Sequence, residues 1–262
     1  MGKYLALILL LIPLTSPNAF AQAHHTGTLS GVTLGARYSS VFEKRGVILY
    51  NDFQIDPAVT LFMFDDRLEF WGDTLSYRDF IYEDKIRLRG RVSSISDNPL
   101  FPAHDSVRSN QPDRPNTFEF STSAEFFYPG YNDNYQWELD LTYSKDISRH
   151  YGNYFEALGK IKLTEFYWPL VNKRIEPNLV LGAGIGDKAH NKYYYGPDDE
   201  ATTMTDYAAG IWLAFPDEAD RFFPIIQVMY FAVNGDHRNA LYAKNNNQGY
   251  LASFIYTFRV FN

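Results

Sequence analysis

No cysteine occurs in the chain, and that one absence excludes a disulfide framework, a thiolate metal site and a lipoprotein anchor. Long hydrophobic runs are missing as well. The apolar stretch from Tyr4 to Leu14 is too short to cross a bilayer as a helix, which takes about 20 residues, and no later stretch is longer. If the mature chain enters a membrane it does so as a closed barrel, because open strands in lipid leave backbone N–H and C=O groups unpaired. Positive charge is scarce too. With 24 Lys and Arg against 31 Asp and Glu the net charge is -7, which argues against nucleic acid as a partner. The six histidines are scattered, with His190 and His237 expected in loops, so they lack the clustering of a metal site, and nothing calls for a cofactor. No linker or low-complexity tract interrupts the chain, so one domain is expected.

Aromatic residues, by contrast, are abundant: 20 Tyr and 21 Phe, with Trp bringing aromatics to 17%, in a chain of ordinary mean hydropathy, -0.31. Met1-Gly2-Lys3, the apolar run and Ala19-Phe20-Ala21 form the basic start, core and cleavage site of a secretory signal peptide. Residues 1–21 are therefore expected to be removed, leaving 22–262 as the mature domain. The last stretch, Gly249 to Asn262, has Ala252, Phe254, Tyr256, Phe258 and Val260 on one parity and Ser253, Thr257 and Arg259 on the other. Successive side chains of a strand point to opposite faces, so one face here is apolar throughout and strongly aromatic. That is the pattern of the closing strand of an outer-membrane barrel, although such chains usually end on the aromatic itself rather than on a residue like Asn262.

The mature chain continues in the same manner. Val32 to Tyr38 and Ile55 to Met63 alternate, and Asp65-Asp66 turns the chain into Leu68 and Phe70. Pro57, unable to donate to a ladder, is expected near a strand end. Ile86, Leu88, Gly90 and Val92 alternate with Lys85, Arg87, Arg89 and Arg91, a row of cations on one face. Ser96 to Pro115, with its prolines, reads as a long loop. Phe118 to Tyr128 and Tyr135 to Tyr143 form the clearest hairpin, and strands follow at Phe155–Leu163, Leu179–Ile185, Tyr207–Phe215, Phe222–Ala232 and Leu251–Val260. These make eleven segments, whereas a barrel with both ends in the periplasm needs an even number. The expectation is an all-β, transmembrane, antiparallel up-and-down β-barrel of about 12 strands, with 10 as the alternative.

On the polar parity the rows run basic (Arg87, Arg89, Arg91), acidic (Glu119, Glu125), acidic (Glu138, Asp140) and basic (Lys160, Lys162). Sequence neighbours are wall neighbours in such a barrel, so opposite charges can meet across ladders. Either these side chains cross-link the lumen, Arg87, Arg89 and Arg91 pairing with Glu119 and Glu125, or they are solvated charges lining a pore.

One motif is more specific. Asn191-Lys192-Tyr193-Tyr194-Tyr195-Gly196 follows a Pro-x-x-x-x-Gly-x-Gly strand, Pro177 to Gly184, and resembles the Asn-x-Tyr-Tyr-Tyr-Gly signature of the MltA-interacting protein (MipA/OmpV) family of outer-membrane proteins. The early Pro57 to Gly72 hairpin is similar as well. The sequence departs from the family at Pro197, in lacking the Ser-Gly-Leu stretch that normally follows, and at Asn262. The resemblance implies an outer-membrane scaffold or binding protein associated with murein-synthesising and murein-cleaving enzymes, or surface adhesion, without catalytic activity. The tyrosine run has a plainer reading, an aromatic belt at the membrane interface. Competing functions are a porin-like channel and, further off, an outer-membrane lipid hydrolase. For the latter Ser148-Arg149-His150 is no evidence in itself, because nucleophile and base must meet in space rather than in sequence.

Overall fold

The computed structural model describes residues 29–40, 42–50, 54–71, 73–95, 101–102, 116–132, 135–169, 172–216, 224–244 and 247–261. The expected signal peptide, Gly72, most of the 96–115 loop, Phe222 and Asn262 lie outside them. In chain order the strands are β1 (Leu29–Ser39), β2 (Phe42–Lys44), β3 (Val47–Tyr50), β4 (Gln54–Met63), β5 (Leu68–Trp71), β6 (Thr74–Tyr82), β7 (Ile86–Ile95), β8 (Phe101–Pro102), β9 (Thr117–Tyr128), β10 (Trp137–Asp146), β11 (Asn153–Lys162), β12 (Phe166–Trp168), β13 (Lys173–Gly186), β14 (Thr203–Ala214), β15 (Ile225–Val233) and β16 (Gln248–Phe261). A short helix, α1 (Lys188–Tyr194), and a 3-10 turn at Gly235–Asn239 sit between strands.

Twelve of these strands pair antiparallel into a closed ring. β16 returns to β1 from Val32↔Phe261 to Ser39↔Ser253, and β1 also pairs with β4, so the sheet has no free long edge. β2 and β3 form a separate hairpin, β8 adds to the far end of β4, and β12 adds to β13. The register Val32↔Phe261 puts both ends of the ring at one rim. The turns 64–67 and 83–85 join strands at that rim, and the strand ends that flank 40–53, 96–116, 187–202 and 234–247 lie at the other.

Parity separates the two faces cleanly. Val59 at 50%, Leu181 at 50% and Val228 at 53% are exposed on the outer face, while Ser121 and Glu125, both at 2%, are buried inside. A water-soluble sheet does the reverse, whereas a wall immersed in hydrocarbon requires this arrangement. On β16 the same split puts Phe254 and Tyr256 outside and Ser253 inside.

The strand absent from the sequence pattern is β6. Its alternation breaks after Tyr77: Phe80 is the inward residue and Asp79 shares the outward parity. Asp79 is accommodated because it sits near the rim, accepting from Tyr77 and pairing with Arg67 at 3.4 Å. Lys85, expected in the basic row, lies instead in the turn after β6 and pairs with Glu83 at 2.8 Å. Pro57 is inside β4 rather than at its end. It is tolerated because β5 reaches only to Thr60↔Trp71, which leaves the Pro57 stretch paired on the β1 side, opposite Ala36, and unpaired with β5.

Candidate functional site

The rim that holds the termini is cross-linked by side chains anchored in the wall. β7 pairs directly with β9 in the register Arg87↔Glu125, Arg89↔Ser123, Arg91↔Ser121 and Ser93↔Glu119. Arg87 and Arg89 both bind Glu125, the second with Nη2 2.6 Å from Oε1. The Arg87 guanidinium also lies 5.5, 5.1 and 5.0 Å from the ring centres of Phe80, Phe127 and Tyr131, which with Tyr135 form an aromatic floor. Glu119 is not shared with this row, since its carboxylate is held by Arg45. Arg91, opposite Ser121, makes no ion pair among the described residues.

The second pair of rows divides in the same way, by register. Glu138 opposes Lys160 and binds it at 2.6 Å. Lys160 also lies 5.4 Å from the Trp212 ring. Asp140 opposes Leu158, so its partner is the Thr142 hydroxyl at 2.9 Å rather than a lysine. Lys162 falls beyond the end of β10 and reaches Glu176 at 2.9 Å and Glu165 at 3.4 Å.

At the opposite rim the lumen is covered by loops. The β2–β3 hairpin turns through Arg45 and Gly46, with φ of 51 and 78. At Gly46 a Cβ would stand 2.9 Å from the Cβ of Asp206, so both the backbone twist and the close approach call for glycine. Arg45 thereby enters the lumen, binds Glu119 at 3.2 Å and lies 3.6 Å over the Tyr154 ring. Burial works against its charge, and Tyr154, Glu119, Tyr194 and Glu156 around it more than offset that. Its carbonyl accepts a hydrogen bond from the Tyr195 hydroxyl at 3.0 Å. Below it the Tyr154 hydroxyl donates to both oxygens of Asp206, at 2.7 and 2.8 Å.

The tyrosine motif lies in this cover and not in an interfacial belt. Asp187 caps α1 by accepting from the His190 N–H at 2.9 Å, and it accepts from the Asn153 amide at 2.5 Å. Asn191 is buried and donates to Gly186 O and Ala201 O. Tyr194 and Tyr195, at 3% and 0% exposure, pack with Val47, Val233 and Ala243, while Tyr193 stacks on His150 at 4.2 Å. Gly196, at φ 143, ends the motif where a Cβ would press on Leu241. His190 and His237, expected in loops, are on α1 and the 3-10 turn. Burial, with Arg45 adding to it, pushes the His190 pKa well below the usual imidazole value.

His237 links the two large loops. Its Nδ1 is 2.5 Å from Asp199 and its Nε2 2.7 Å from the Thr203 hydroxyl. Ser148 and His150, adjacent in sequence, serve separate ends: the Ser148 hydroxyl accepts from the Phe118 N–H, and His150 faces Asp146 and the Gly152 N–H. The sequence pattern overlooked Arg45, Tyr154 and Asp206, and it placed His237 in a loop without a partner role. For Arg45 the one signal was Gly46 just before the apolar run Val47 to Tyr50, a weak mark of a turn.

No family model and no curated protein matches the chain. Among solved structures it is similar to Acinetobacter baumannii CarO, at 11% identity over 86% of this chain and 96% of that one with a TM-score of 0.20. It is also similar to Ail, the attachment invasion locus protein of Yersinia pestis, at 10% identity over 88% and 98% with a TM-score of 0.16. At these scores it is the strand pairing of the chain, and not the likeness, that carries the architecture.

Proposed function

We propose that the protein is an outer-membrane barrel that spans the bilayer without conducting, and that acts as a non-enzymatic scaffold in the cell envelope. What supports the location is the apolar, aromatic outer face around a polar interior, together with the sequence of residues 1–21. The closed lumen rests on one observation above the rest: Arg45 reaches from the first large loop to Glu119 on the opposite wall, above the layer in which Arg87 and Arg89 converge on Glu125. The partner, murein-synthesising or murein-cleaving enzymes in the periplasm, is supported by the resemblance of Asn191 to Gly196 to the MipA/OmpV signature.

Single-channel recording on refolded protein in planar bilayers tests the central part. Brief or undetectable openings are expected, and steady conductance at the level of a porin would make the protein a solute channel. Co-purification of murein hydrolases or synthases with the tagged barrel, against a barrel of similar size as control, tests the partner.

A second reading is favoured by one specific observation. Thr203, His237 and Asp199 align as hydroxyl, imidazole and carboxylate within hydrogen-bond reach, the order that activates a nucleophile. Labelling by a fluorophosphonate, lost in Thr203→Ala and kept in Thr203→Ser, would support a hydrolase. With no labelling, the three residues are a staple between loops.

A further inference from the structure

A cavity of about 290 Å³ lies directly beneath the hairpin tip, lined by Arg45, Tyr154, Glu156, Tyr194, Asp206 and Phe231 among others. Its size is at the small end for ligand pockets, which run from about 300 to 1,000 Å³. We propose that it binds a small organic ammonium ion, with the Glu156 carboxylate as counter-charge and the aromatic side chains of Tyr194 and Phe231 in its wall. The site goes beyond the scaffold role and stands whether or not the barrel conducts.

The wall itself leaves Glu156 without a partner. Its cross-strand neighbours are Thr142 and Gly184, neither of which carries charge, and among the described residues it makes no hydrogen bond or ion pair. Glycine at 184 also matters for the shape of the space, because a Cβ there would run into the Tyr154 hydroxyl. The other acids near the cavity are already engaged: Glu119 by Arg45, and Asp206 by the Tyr154 hydroxyl. Glu156 lines the cavity without a direct pair among the described residues, within the fields of Arg45 and Arg91.

The same cavity already seats one organic cation. The Arg45 guanidinium lies 3.6 Å above the Tyr154 ring with Glu119 as its counter-ion, the combination of aromatic face and carboxylate that recognises a desolvated ammonium. Around the space the three carboxylates of Glu119, Glu156 and Asp206 stand against the two guanidinium groups of Arg45 and Arg91, so a further cation is favoured there over an anion. The rival occupant of Glu156 is Arg91, the lumen cation with no ion pair among the described residues.

The experiment uses the mature chain refolded in octyl glucoside and titrated calorimetrically with choline, and in parallel with dimethylbutanol, which replaces the ammonium nitrogen by carbon. Saturable choline binding is expected, with the neutral isostere weaker by roughly tenfold or more. Glu156→Gln should weaken choline by a similar factor while retaining heat-modifiable migration, and Arg91→Gln should leave choline binding in place or strengthen it. Equal binding of the two isosteres, no saturation by choline, or unchanged affinity in folded Glu156→Gln overturns the proposal. If Glu156→Gln does not fold, the isostere comparison on the unaltered protein decides alone. Loss of choline binding in Arg91→Gln also overturns the proposal, because the site would then depend on a charge of the wrong sign.

Discussion

The two ends of the lumen are closed by different means. At the rim of the termini the main bridging charges are rooted in the wall, and two of the pairs follow directly from register: Arg87 opposes Glu125, and Glu138 opposes Lys160. At the other rim the closing groups arrive on loops, and contact is set by insertion rather than by ladder. Arg45 and Glu119 are 74 residues apart, and Tyr195 and the Arg45 carbonyl 150. The backbones of a wall-borne pair stay opposite one another for as long as the sheet holds, whereas a loop-borne pair can part while the ring stays intact. The first end should therefore behave as part of the fold and the second as a removable cover.

The largest expected effect lies in the wall. Glu125→Gln leaves both Arg87 and Arg89 without their counter-charge and should destabilise the barrel by ~3–5 kcal/mol in urea titrations of tryptophan fluorescence. Adding Arg89→Gln should recover part of that loss, and strict additivity of the two would show that they do not act as a unit. Leu141→Arg comes next, at ~2–4 kcal/mol, because the charge would face hydrocarbon. Thr142→Arg, on the inner parity, should be far milder, and equal costs at the two positions would mean that the faces are misassigned.

Arg45→Ala tests the cover. It should cost only ~1–3 kcal/mol yet quicken limited proteolysis of the 187–202 loop in the folded barrel, while Glu125→Gln, if it folds, leaves that loop protected. No change in proteolysis for Arg45→Ala would mean that Arg45 does not hold the cover and would remove the contrast between the two ends.

A pH effect confined to the cover should be smaller still. Burial holds His190 well below its ordinary pKa of 6.5, so the closed cover keeps it neutral and the opened one takes up a proton. Stability of the cover is then full above about pH 6.5 and falls below it, by about 1.4 kcal/mol per pH unit for one proton. Asp187, capping the same helix, does not titrate in that window. Burial raises its pKa, but the His190 N–H and Asn153 bonds outweigh this and hold it below the carboxylate value of 3.8. Limited proteolysis of the 187–202 loop should quicken between pH 7.5 and 5.5 in the parent and not in His190→Gln. At the bottom of the scale, Lys188 and Lys192 hold Glu200 at a pKa of about 2 from an exposed position, and Glu200→Gln should leave the denaturation midpoint unchanged.

The same contrast explains what the sequence could convey. Period-two alternation makes a wall legible wherever one face is apolar and the other polar, as in Phe118 to Tyr128. It failed at Thr74 to Tyr82, where Phe80 is inward to serve the aromatic floor and Asp79 is outward at the rim. Partners across a ladder were within reach because they follow from strand order. Arg45 was not, since its partners are fixed by how a loop folds back, and periodicity carries no signal for that. The tyrosine run showed its composition but not its burial, which depends on α1 forming behind the Asp187 cap.

The reach of the Arg45 hairpin also orders events in time. The hairpin comes early in the chain, and Glu119, Tyr154 and Tyr195 all come later. Until β9, β11 and the loop after β13 are in place, Arg45 has nothing to hold. Sealing thus waits on the far wall and on the loop after β13, and a ring without them would leave its first loop with no anchor at the rim.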